Sequence, residues 1–154
     1  MNCRGFKIEK ALYEDLPQIL ALQYLTYRIY ATLDFVIQPL KQTLAELQEE
    51  YALGMVLKAV NEDGQIIGSI RSRLQGDHTY LGKLMVHPDY ENRGLGKALV
   101  KTAENMTGNK VYELFTDAYN PKLIGLYQKL GYRIIKEEVV NQYLTIAVLR
   151  KEIK

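Results

Sequence analysis

Apolar positions recur along the chain in two rhythms, one helical and one alternating. Leu16, Ile19, Leu20, Gln23 and Tyr27 fall at helical spacing behind Asp15 and Pro17, which serve as start signals. Leu44, Leu47 and Tyr51 repeat that spacing behind Thr43 and Glu46. Those two residues form a capping-box pattern, in which the Thr oxygen and the Glu carboxylate each satisfy a free N–H. This second helix is predicted to end near Gly54. A looser aromatic stretch with Tyr24, Tyr27, Tyr30 and Phe35 runs up to Pro39. Strands are predicted over 6–9, 55–60, 65–74 and 79–86. Asn61-Glu62-Asp63-Gly64 and Gln75-Gly76-Asp77 supply the turn residues between the last three. From Gly94 the rhythm is helical again through Leu95, Ala98, Leu99, Thr102 and Met106, ending near Gly108. A buried-looking strand over 111–116 follows. Asn120-Pro121 opens another helix that Gly131 closes, and strands over 132–140 and 142–149 end the pattern.

The order is strand, two helices, three strands, helix, strand, helix, two strands. It predicts an α+β domain spanning 1–154, with a mixed, mostly antiparallel sheet of about seven strands flanked by about four helices. The hairpin meander excludes a doubly wound parallel fold. Composition agrees: 154 residues with 47% hydrophobic and 25% charged content can bury a core. That excludes a disordered tail, a collagen-like rod and a disulfide mini-protein. A net charge of +2 gives no footprint for nucleic acid or an anionic membrane. Cys3 is the single cysteine, so no internal bridge forms and a reducing, cytoplasmic compartment is expected. The first ten residues lack a signal-peptide pattern, and no segment reaches ~18 apolar residues.

The stretch from Leu84 to Lys97, LMVHPDYENRGLGK, carries the chemistry. A strand enters a short loop, and Gly94 and Gly96 then open a helix. Free N–H groups and the positive dipole end at such a start make an anion site, with Arg93 and Lys97 adding charge beside it. An isolated G-x-G is also compatible with a tight turn alone. No P-loop pattern is present, and Leu99 stands where a dinucleotide fingerprint needs its third glycine.

At these residues the sequence resembles the GNAT superfamily of acyl-CoA-dependent N-acyltransferases. Leu84, Val86, Pro88, Gly94 and Gly96 match the frame of its Q/R-x-x-G-x-G/A signature, with Glu91 in the position usually held by Gln or Arg. Asn120 to Tyr132 resembles a second family block, N-x-x-A-x-x-L-Y-x-x-L-G-F, with Leu123 for Ala and Tyr132 for Phe. Alone, Asn120 reads as a helix cap and Tyr127 as a core tyrosine. The order of the two blocks and the strands around them favour the family.

The resemblance implies acetyl-CoA as co-substrate and a primary amine of a small molecule or peptide as acceptor. It implies pantetheine contacts at the backbone of Leu84, Met85 and Val86 and at Asn120. Asn92, Arg93, Gly94, Leu95, Gly96 and Lys97 would wrap the pyrophosphate. An amide near Met85 or Val86 would polarise the thioester carbonyl, and Tyr127 would reprotonate the thiolate. The acceptor pocket would lie between the first two helices and the last hairpin, with Tyr24, Tyr27, Tyr30 and Phe35 as candidate lining. Some members carry a Glu five residues before the Asn; here that position is Phe115. Glu113, Asp117 and His87 remain candidate bases, none of them assigned. A non-catalytic acyl-CoA sensor is the alternative reading, motivated by Glu91 and the missing carboxylate; an ATP-binding module ranks third. His78, His87 and Cys3 give no metal-ligand spacing, so no metal is expected. The last strands, apolar on both faces at Ile146 to Leu149, leave a homodimer as a candidate assembly.

Overall fold

A computed structural model describes residues 2–3, 5–30 and 36–153; Phe35 lies outside them. The described elements run β1 (Asn2–Cys3), β2 (Phe6–Lys10), α1 (Leu16–Tyr27), α2 (Gln38–Lys41), α3 (Leu44–Leu53), β3 (Met55–Asn61), β4 (Ile66–Gln75), β5 (His78–Val86), α4 (Leu95–Thr107), β6 (Val111–Asp117), α5 (Pro121–Lys129), β7 (Arg133–Asn141) and β8 (Leu144–Glu152). They form one sheet in the order β1-β2-β3-β4-β5-β6-β8-β7, antiparallel except for β5 and β6. The mixed α+β architecture is the expected one. Two short elements exceed what the sequence predicts: the two-residue strand β1 and the four-residue helix α2. Each is too brief to show a period.

Local chemistry explains the helix boundaries. Thr43 and Glu46 form the capping box, the Glu46 amide donating to Thr43 Oγ1 at 3.2 Å and the Thr43 amide to Glu46 Oε1 at 2.9 Å. Asp15 works differently from a simple cap. It accepts from the Leu12 amide at 2.7 Å and pairs with Lys58 at 2.7 Å, tying the start of α1 to β3. Asn120 caps α5 by accepting from the Leu123 amide at 3.1 Å.

Two cores sit on opposite faces of the sheet. Leu16, Ile19, Leu20 and Leu22 of α1 and Leu47 of α3 pack with Val56 and Met85 on one face. On the other, Leu95, Ala98, Leu99 and Ala103 of α4 and Tyr127 and Leu130 of α5 cover Leu57, Ile70, Leu81, Leu114 and Leu149. The expected face of α4 needs one correction. Met106 is exposed, while Glu104 is buried. Its carboxylate accepts from Tyr132 Oη at 2.7 Å and from Lys151 Nζ at 3.0 Å, partners that sequence spacing could not bring to it.

Candidate functional site

β5 is anchored on one side and open on the other. It pairs along its length with β4, but with β6 only at Thr79↔Tyr112 and Tyr80↔Glu113. Beyond those two pairs the strands separate, so among the described residues the β5 edge from Leu81 to Val86 has no strand partner on that side. Register with β4 shifts between Ser69↔Met85 and Arg71↔Gly82, which leaves one extra residue on β5. That bulge coincides with Lys83 at φ +52°. The His87 amide donates to Ile67 of β4 at 2.8 Å. Strand alternation therefore turns the Val86 amide toward the open side.

The loop after β5 is held by its own side chains. His87 Nδ1 accepts from the Asp89 amide at 3.1 Å, so His87 serves the loop. The exposed Arg93 places its guanidinium over the Tyr90 ring, 5.2 Å from the ring centre. Asn92 and Gly94 both take positive φ, +63° and +81°. They turn the chain so that α4 begins with no side-chain cap, which leaves the amides of Leu95, Gly96 and Lys97 without an intrahelical partner. Leu95 is buried, so only its main chain can face a ligand, whereas Lys97 is exposed. A Cβ on Gly96 would lie 3.4 Å from Leu126, 3.8 Å from Val86 and 3.9 Å from Leu84, so this glycine seats α4 closely against α5 and β5. Glu91 lies 3.7 Å from Lys122 of α5, an exposed ion pair beside the candidate anion site.

Across the opening stand the residues of the second sequence block. The Asn120 amide nitrogen donates to Tyr30 Oη at 3.2 Å, joining α5 to the segment after α1. Tyr127 is buried, edge-on to Tyr132 at 6.0 Å between ring centres, and its hydroxyl has no hydrogen-bond partner among the described residues. Burial and the neighbouring Tyr27 push its phenol well above the usual tyrosine range. Burial likewise lifts Tyr27 to about 12, despite the opposing pull of Arg71. Tyr27 and Tyr30 rings lie 6.3 Å apart. Tyr24 instead turns its hydroxyl to the Gln42 carbonyl and helps hold α1 to the start of α3.

The candidate bases are engaged elsewhere. Glu113 accepts from Arg150 at 3.0 and 3.1 Å, and Asp117 accepts from the Tyr119 amide at 2.9 Å. Phe115, between them, is exposed on the sheet face. Sequence reasoning missed a buried cluster in which Arg71 reaches Glu50 at 3.2 Å, Gln42 at 3.1 Å and Gln23, linking β4 to α1 and α3. The strand sequence IIGSIRSRLQ gives no signal for it, since buried Arg71 and exposed Arg73 stand two residues apart on the same strand. Among the described residues no group of three His, Cys, Asp or Glu side chains is placed to hold a metal ion, and no helix is long and apolar enough to cross a membrane.

Comparison with known proteins places this geometry. Residues 13–132 match the model of the acetyltransferase (GNAT) family. The chain is 29% identical over 94 residues to YyaT of Bacillus subtilis (strain 168), covering 61% of this chain and 64% of that one. Matched stretches span about half to two-thirds of the length of the first curated relatives. Among solved structures, the PaiA N-acetyltransferase of Thermoplasma acidophilum in complex with coenzyme A superposes with a TM-score of 0.79 at 20% identity, over 97% of this chain and 99% of that one. The ribosomal-protein-S18-alanine N-acetyltransferase of Escherichia coli gives 0.78 at 17% identity, over 97% and 94%.

Proposed function

The chain belongs to the GNAT acetyltransferase family, and on that premise we propose that it transfers an acetyl group from acetyl-CoA to a primary amine. The observation that carries the reading is the parting of β5 from β6 directly ahead of an uncapped helix start. An extended chain can add to a free strand edge through main-chain hydrogen bonds, and a diphosphate fits free helix amides. The backbone of Leu84, Met85 and Val86 would receive the pantetheine arm. The turn from Asn92 to Lys97 would receive the pyrophosphate, with Arg93 beside it over Tyr90. Acetyl-CoA, when bound, supplies the activated acyl group.

The remaining steps belong to this chain's residues. The Val86 amide is the candidate donor to the thioester carbonyl, since it faces the open side. Tyr127 would return a proton to the thiolate. Its raised pKa keeps the phenol protonated through neutral pH, as a donor requires, and makes the transfer more uphill than for an ordinary tyrosine. Asn120 would exchange Tyr30 for the pantetheine arm, since both ends of its carboxamide are already engaged. With Glu113 and Asp117 engaged, the amine would enter already neutral or lose its proton through water.

Calorimetry with CoA and thiol release in the presence of acetyl-CoA and an amine panel test the proposal. Binding with thiol release that depends on the amine is the expected result. Binding without turnover on any amine would overturn the enzymatic reading and favour an acyl-CoA sensor.

A further inference from the structure

A glycine inside a central strand often marks a place where something approaches the backbone. Gly82 lies on β5 between β4 and β6, is exposed, and a Cβ built on it meets nothing within 4 Å. Its partner across the ladder is Arg71. Directly opposed residues project from one face, so Arg71 borders the open space above Gly82. The bulge places Lys83 next to it.

Among the described residues the charges around this space do not balance. Arg71 is 6% exposed and directs its terminal nitrogens to Glu50, Gln42 and Gln23, while its buried Nε–H has no partner. Lys83 is half-buried and makes no hydrogen bond or ion pair among the described residues. Burial holds its ammonium below the usual lysine range, with Glu50 pulling the other way and Arg71 adding to the depression. Tyr27 is neutral at physiological pH. Among the described residues two cations thus share one carboxylate, and an unmatched, partly desolvated charge is costly until an anion meets it. A polyamine would add positive charge to this space; a carboxylate would complete it.

We propose that the acceptor is an amino acid, whose carboxylate is received over Gly82 by the Lys83 ammonium with Arg71 as the second positive charge behind it. This rests on the acetyl-transfer reading and adds the charge of the acceptor to it.

Amino acids paired with their own carboxamides provide the test, with rates and affinities expressed per neutral amine because amidation also lowers the basicity of the α-amine. Thiol release gives kcat/KM for each member, and calorimetry on CoA-loaded protein gives its affinity. Lys83→Asn removes the charge with a residue suited to positive φ, and Lys83→Arg retains the charge. The wild type is expected to favour the acid over the carboxamide by about 10- to 100-fold, the range of one charge-assisted hydrogen bond. Lys83→Asn should bring that ratio close to one, and Lys83→Arg should restore most of it. Equal use of acid and carboxamide by the wild type, or an unchanged ratio in Lys83→Asn, overturns the proposal. Should no amine turn over, the calorimetric ratio decides on the subsite by itself. Carboxylate-dependent binding then supports the subsite and removes the catalytic reading, while equal binding removes the subsite.

Discussion

Gly94 offers a test in which a single torsion angle links stability to ligand affinity. It sits at φ +81°, ψ 8° at the start of α4, and a Cβ there would touch nothing within 4 Å. Gly94→Ala therefore introduces torsional strain without a clash. A left-handed non-glycine residue costs roughly 1–2 kcal/mol, and stiffening of the unfolded chain returns about 0.4–1 kcal/mol. The net loss is about 1 kcal/mol, or a fall in Tm of about 2–4 °C for a domain of this size. Where that loss is seen depends on the loop. A loop that keeps its shape loses the full amount without ligand and binds CoA as before. A loop that relaxes loses less when free and binds CoA more weakly by the remainder, at most about fivefold for 1 kcal/mol. Protein saturated with CoA shows the whole loss in either case, because binding demands the competent loop. Melting curves without CoA and at saturation, with calorimetric Kd values, close the cycle. Gly94→Asn should recover part of the loss, since Asn tolerates this region. Identical saturated Tm values for Gly94→Ala and wild type, or an Asn variant worse than Ala, would refute the reasoning.

Other expectations follow from the same geometry. Tyr127→Phe should lower kcat by about 100-fold or more while raising the KM for acetyl-CoA less, as loss of a general acid does; steady-state kinetics that show unchanged kcat would exclude the acid role. Because that phenol titrates above the usual tyrosine range, no decline in rate from its deprotonation should appear below about pH 10. Gly96→Val should weaken CoA binding by calorimetry far more than Gly96→Ala, because the first Cβ already meets Leu126 at 3.4 Å. Burial pulls the Asp15 carboxyl upward, but hydrogen bonds from Lys58 and the Leu12 amide outweigh it and hold the group below its ordinary value. Its contribution to stability is present above the unfolded value and lost as pH falls through the folded one. Asp15→Asn should therefore lower Tm at pH 7 and make little difference at pH 2, as read by thermal melts.

What could be read from the chain alone divides by range of interaction. The Thr43–Glu46 box, the turn at Asn61–Gly64 and the Asn120 cap are local chemistry, complete within five residues, and they stand where expected. The glycines of the loop were legible for the same reason. The opening between β5 and β6 was implied by the family resemblance and not by residue spacing, because it depends on how two strands about thirty residues apart diverge after Tyr80 and Glu113. Nor was the Lys83 bulge legible: even spacing predicts Leu81 and Met85 on one face, whereas the extra residue sends Leu81 to the α4 face and Met85 to the α1 face. The burial of Arg71 and Glu104 carries no local signal because their partners come from distant elements: Gln23 and Glu50 for one, Tyr132 and Lys151 for the other. The placement of Arg93 over Tyr90 lies within a single loop, yet nothing in the spacing signals it.

The short ladder between β5 and β6 also bears on how the molecule coheres. Two rungs join the leaf built from β1 to β5 with the leaf built from β6 to β8. A ligand lodged between them would work as a keystone, adding strand-to-strand continuity to a helix-covered core that already spans both leaves. Amides along β6 should then exchange their hydrogens more slowly once the wedge is filled, so that rigidity itself becomes a gauge of occupancy.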